Sequence, residues 1–148
     1  SFYSARYDAL FAHRTGPWAG HVYVGGQRDT SGVYPLALGG FLRLSGAPPS
    51  SILGSEVVFG RAVLAREVGS LPSTLGVALR AGGSIEAGRT SFQNFGVAGG
   101  KTRYGSSLFI VGDTRLGPVY LAVGNTPGIG TAIYLFLGSV LLPSGLLR

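Results

Sequence analysis

The 148-residue chain suits one domain and carries 12 basic against 6 acidic residues. Charged residues make up 12% of it, about half the share of a soluble domain, and no cysteine is present for a disulfide or a thiolate metal site. Its 26 glycines exclude a helical protein, because each costs about 1 kcal/mol relative to Ala inside a helix; with His13 and His21 the only histidines, no metal or cofactor has a ligand set.

Short apolar runs alternate with glycine-containing turns, which predicts strands. The first runs from Phe2 to Arg14, with Tyr3, Ala5, Tyr7, Ala9 and Phe11 on one face and Arg6, Asp8 and Arg14 on the other. Gly16-Pro17 turns the chain into a second strand ending at Gln27. A third is expected from Tyr34 to Ser45, weakened by Pro35 and by Gly39-Gly40. Ala47-Pro48-Pro49-Ser50-Ser51 must be loop. The fourth strand, Glu56 to Val68, sets Val58, Gly60, Ala62 and Leu64 against Arg61 and Glu67. The fifth, Leu75 to Glu86, alternates most cleanly, with Leu75, Val77, Leu79, Ala81 and Ile85 on one face and Arg80, Gly82, Ser84 and Glu86 on the other. A loop from Gly88 to Gly100 precedes three more strands at about Thr102 to Val111, Leu116 to Gly124 and Thr131 to Gly138.

No run reaches the roughly 18 uninterrupted apolar residues of a spanning helix, whereas a spanning strand needs only about 9–11 with one apolar face. The less apolar faces here are mostly Gly, Ala and Ser with one or two charges; a soluble sandwich would present broadly polar ones. The expected fold is all-β: an antiparallel transmembrane β-barrel of eight strands in one domain over residues 1–148, with a soluble sandwich or small barrel as the alternative. Parity makes Leu75, Val77, Leu79 and Ala81 lipid-facing and gathers Arg61, Glu67, Arg80 and Glu86 into one lumenal network of paired charges. Open strand edges do not survive in hydrocarbon. The first segment is therefore expected to pair with the last, a second copy being the other way to meet those bonds, with membrane lipid or detergent around the whole.

Catalysis has no support in these residues. Gly105-Ser106-Ser107-Leu108-Phe109 lacks the second glycine of a nucleophile elbow, and no glycine run ends in the Gly-Lys-Ser/Thr of a phosphate loop. The arginines are spread singly along the chain, which argues against nucleic acid. The expectation is a structural barrel or membrane anchor with a filled lumen, and no enzyme.

Leu38-Gly39-Gly40-Phe41-Leu42-Arg43-Leu44-Ser45-Gly46-Ala47-Pro48-Pro49 resembles the motif entering the long inward-folding loop of bacterial surface-antigen barrels, the superfamily of outer-membrane assembly and secretion barrels. Within it the wording is most similar to the barrel domain of outer-membrane patatin-like phospholipases. Gly112-Asp113-Thr114-Arg115-Leu116-Gly117-Pro118-Val119-Tyr120-Leu121, followed by Ala132-Ile133-Tyr134-Leu135-Phe136-Leu137-Gly138, resembles that family's last two strands. The resemblance implies the bacterial outer membrane and the C-terminal part of a longer parent, either an assembly or secretion barrel or one attached to a lipase domain. It also marks Arg43, Ser45 and Gly46 as the loop motif. Where the family carries Arg, Gly and an aromatic, this chain has Ser45-Gly46-Ala47, so an Arg–acid lock into the lumen falls to Arg43. After Gly138 the chain runs on to Leu147-Arg148 without the terminal aromatic that the family's insertion machinery reads.

Overall fold

The computed structural model describes residues 3–31, 36–71, 77–91, 100–114 and 117–138. Within them the chain is all-β: β1 (Ser4–Thr15), β2 (Trp18–Asp29), β3 (Leu36–Leu38), β4 (Ile52–Gly54), β5 (Glu56–Ser70), β6 (Ala78–Ser91), β7 (Arg103–Thr114), β8 (Gly117–Thr126) and β9 (Gly130–Leu137). Seven strands form one antiparallel sheet in the order β1-β2-β5-β6-β7-β8-β9, and β3 pairs only with β4. The large sheet is thus a meander, interrupted once by the short β3–β4 hairpin.

The two faces of the sheet differ in kind. Register aligns Tyr23, Arg61, Glu86 and Gly105 in one row across β2, β5, β6 and β7. That face carries the buried Phe59, Val63, Phe109, Tyr120 and Tyr134. The opposite face is bare and apolar: Leu64, Ile85, Leu108, Leu121 and Ile133 project from successive strands, and Ile85 and Ile133 are 69% and 79% exposed. Alternation at period two sorts the side chains this way. A helical or irregular backbone could not keep the sorting through five strands.

The segment between β3 and β4 folds back onto the first face and completes its core. Phe41 and Leu42 pack with Val63, Phe109, Val111, Tyr120, Ala122 and Tyr134. Leu38, Leu44, Ala47 and Ile52 pack with Val57 and Phe59. Phe41 meets Phe109 edge-on at 6.0 Å and stacks on Phe136 at 5.6 Å, offset geometries that aromatic quadrupoles favour. In a flat sheet β5 and β9 would lie about 19 Å apart, four spacings of about 4.8 Å. One short loop reaches side chains on both, so the sheet curls around it.

Seven of the eight expected strands appear in the large sheet; the third does not. Of Tyr34 to Ser45, only Leu36–Leu38 is extended among the described residues. Gly39 and Gly40 have φ of 123° and 104°, and Leu42 and Leu44 have 59° and 75°. Positive φ takes these residues out of any ladder. The fifth strand also continues past Glu86 to Ser91, into what reads from sequence as loop.

The expected pairing of the first segment with the last is not formed either: β1 and β9 are the two ends of the sheet. The interior of an eight-stranded barrel is just wide enough for side chains or one small ligand, whereas the inner face here is covered by the folded segment between β3 and β4.

Core and bare-face positions should respond differently to truncation. Phe109→Ala is expected to destabilise the fold by about 3–5 kcal/mol, and Phe11→Ala, on the exposed face, by much less in detergent. Urea titration followed by the fluorescence of Trp18 checks both.

Candidate functional site

The one concentrated polar site on the inner face is the socket that holds the loop tip. Leu44 at φ 75° turns its own N–H and that of Ser45 toward the same point. Two successive amides of this kind form a nest for an anion. The anion is the Glu86 carboxylate on β6, 4% exposed. Its Oε2 accepts from Leu44 N and Ser45 N, both at 2.6 Å. Its Oε1 accepts from Ser45 Oγ at 2.7 Å and from Ser84 Oγ at 2.5 Å. Ser45 Oγ in turn accepts from Leu42 N at 2.9 Å, closing the turn on itself. Hydrogen bonds to a charged group contribute about 1.5–3 kcal/mol each, enough together to hold two leucines at positive φ, a strain of about 1–2 kcal/mol per residue.

Four other strands complete the socket. Arg61 on β5 donates from Nη1 to Leu42 O at 3.2 Å, with its guanidinium 5.4 Å from the Tyr23 ring centre. Gly46 N donates to Tyr134 Oη on β9 at 2.8 Å, and Thr126 Oγ1 on β8 donates to Ser45 O at 2.8 Å. The wall behind the tip is glycine because nothing larger fits. A Cβ on Gly105 would lie 3.0 Å from Leu44 Cα, and one on Gly124 would overlap Ser45.

Arg61 and Glu86 face each other across β5 and β6, as do Glu67 and Arg80, yet the four do not form one network. Arg80 pairs with Asp113 at 2.5 Å, and Glu67 with Arg14 at 3.7 Å. Arg61 and Glu86 hold the loop from two sides. The charges are divided because the loop fills the space between the socket and the end of the sheet where Arg80 lies.

Arg43 does not provide the lock. It is exposed and donates to Ala37 O at 3.3 Å. Ser45 and Gly46 make the contact instead, through backbone and hydroxyl groups that a search for an arginine overlooks.

Of the four positions read as lipid-facing, Leu79 and Ala81 lie on the bare-face parity and are half-buried. Leu75 falls outside the described residues. Val77 is buried at 8%. It precedes β6, its carbonyl accepting from Leu71 N at 2.9 Å, and its side chain packs over Gly112; strand parity does not govern it there.

Sequence reading missed Ser84, Gly105, Gly124, Thr126 and Tyr134. A signal existed: Glu86 lies opposite Gly105, and Ser107 opposite Gly124. Two small residues beside an inward carboxylate leave a hole that something must fill.

For chemistry the site offers little. His21 and Ser84 are separated by Val63 in their row, and the Ser84 hydroxyl is engaged by the Glu86 carboxylate. His13 bonds Thr15 Oγ1 at 2.7 Å on the opposite face. No metal-binding group of three or more His, Cys, Asp or Glu exists among the described residues. The arrangement binds a peptide turn.

Glu86→Ala would strand Leu44 N, Ser45 N and Ser45 Oγ in a buried site. The tip should loosen, and tryptic cleavage after Arg43 should quicken at least about tenfold, the equivalent of roughly 1.4 kcal/mol; Glu86→Gln should fall between it and the parent. Gly46→Ala should act in the same direction, since φ of 103° and the close Asn125 Cα leave no room for a side chain. Timed digestion with mass mapping of the cut measures each variant.

No protein-family model, curated protein or solved structure matches this chain.

Proposed function

We propose that this chain is a structural, membrane-embedded β-barrel wall with an inward loop as its plug, seated in the bacterial outer membrane and without catalysis of its own. One observation carries the reading: the sheet is inside-out. Its polar and charged groups are gathered against the loop, while Leu64, Ile85, Leu108, Leu121 and Ile133 stand uncovered on the other side. Exposing so continuous an apolar face to water is unfavourable for a soluble monomer, and in hydrocarbon it is the required surface. No helix among the described residues is long and apolar enough to cross a membrane, so strands are the spanning elements in this reading.

The surface-antigen resemblance fits the same picture, with the loop from Gly39 to Ser51 in the place of that family's inward-folding loop. Under it, the chain is the barrel part of an assembly or secretion protein, or of one bearing a lipase domain.

The open edges favour one further feature. A bilayer leaves no water to satisfy the free N–H and C=O groups of β1 and β9. A second copy, joining its β9 to this β1 and its β1 to this β9, meets all of them and enlarges the ring around the plugs.

Spin labels at Ile85 and Leu121 in lipid vesicles should be relaxed by oxygen and protected from a water-soluble nickel chelate. The reverse pattern would exclude a membrane-facing surface. Ile85→Arg should destabilise the folded form by about 2–4 kcal/mol if the residue lies near the bilayer midplane. Cysteines on β1 and β9 should crosslink between chains, with a dimeric mass in micelles; a monomeric mass with crosslinks inside one chain would instead indicate self-closure.

A further inference from the structure

The bare face is not uniform. A groove of about 1090 Å³ crosses it near the β1–β2 turn. Its shape follows from one register row, in which Gly20, Leu64, Gly83 and Leu108 are successive neighbours across β2, β5, β6 and β7. The glycines keep this part of the face low: Leu64 leans over Gly20 and Leu108 over Gly83, their methyl carbons 3.3 and 3.2 Å from where a Cβ would lie.

Two residues along β5 toward the turn, on the same face, stands Arg66. Its guanidinium lies 5.4 Å from the centre of the Trp18 ring. It makes no ion pair among the described residues, for the adjacent Glu67 points to the other face and meets Arg14. The cation therefore sits at the edge of the groove, with an indole beside it of the kind that settles at a membrane interface.

We infer that this groove is a binding site for an anionic phospholipid, its acyl chains lying along the groove and its phosphate on Arg66. The inference rests on the membrane reading above. Charge complementarity selects the ligand: an exposed arginine without a carboxylate partner favours a lipid with net negative charge over a zwitterionic one, whose own cation would compete with Arg66. One arginine near an anionic surface corresponds to about fivefold enrichment, from roughly 1 kcal/mol per basic residue.

Trp18 is the only tryptophan in the chain, and its position in the site makes it the reporter. The full chain is reconstituted in phosphatidylcholine vesicles containing a minor fraction of either brominated phosphatidylglycerol or brominated phosphatidylcholine. The anionic quencher should quench Trp18 more strongly at equal mole fraction, corresponding to about fivefold local enrichment. Arg66→Gln should abolish the difference, and Ala62→Phe, which fills the groove floor, should reduce it. Arg28→Gln, at the far end of β2, should leave it intact. Equal quenching by both lipids, or a preference that survives Arg66→Gln, would overturn the lipid site while leaving the chain in the bilayer. Absence of quenching by either lipid would overturn the membrane reading and the site with it.

Discussion

The arrangement depends on a buried carboxylate meeting a turn of peptide. Glu86 has no cation as its closest partner; it accepts two backbone amides and two hydroxyls. An ionised group in so enclosed a place must have its lone pairs met in full. The loop tip is what meets them, so the loop cannot leave without stranding the charge, nor the charge be removed without stranding the amides. This mutual requirement fixes the loop on the inner face and, through Tyr134, Thr126 and Arg61, draws β9, β8 and β5 around it. The curl of the sheet and the division of the arginines between separate partners both follow.

The same requirement explains the inner glycines and the outer hydrophobics together. Backbone occupying the interior leaves little depth for side chains, so the walls behind the tip are Gly105 and Gly124, where a Cβ would collide. Polar groups are used up in binding the loop. The outer face, over which no described segment lies, is left to Leu, Ile, Val and aromatic side chains. A soluble sandwich reverses this allocation, burying its large apolar side chains between two sheets. Here even the inner aromatic cluster around Phe41 exists because a loop residue, and no second sheet, covers it.

Much of this was legible in the amino-acid order wherever one residue's neighbours are set by strand parity. From Val58 to Leu64, and from Arg80 to Glu86, each side chain lies on the face that alternation assigns. Legibility failed where conformation is imposed by distant contacts. Leu42 and Leu44 are poor candidates for positive φ on their own, and it takes the Arg61 donor on β5 and the Glu86 acceptor on β6 to hold them there, so Tyr34 to Ser45 reads as a strand. Arg43 stood as the locking residue only through the surface-antigen resemblance, as a substitute for the arginine of that family's loop motif. The actual donors are main-chain amides, which every sequence contains and none displays. Val77 escaped parity because it lies outside its strand.

Closure is where these constraints meet. Around the loop, the seven-stranded sheet of the described residues ends at β1 and β9. A tighter curl is opposed by the loop, since the tip already meets five strands and a Cβ on Gly124 would overlap it. Removing the loop would allow a tighter ring but would leave Glu86 buried and unmet. The loop therefore does more than cover the inner face: it opposes any tighter curl of the strands around it. In the membrane reading proposed above, strand addition from outside would satisfy both edges, and β1 is suited to it. Every residue from Ser4 to Thr15 is exposed on both faces, and Arg6, Asp8 and Arg14 share the face that would line the lumen. Those charges are what an enlarged, partly wet interior accommodates and a tightly closed small barrel excludes.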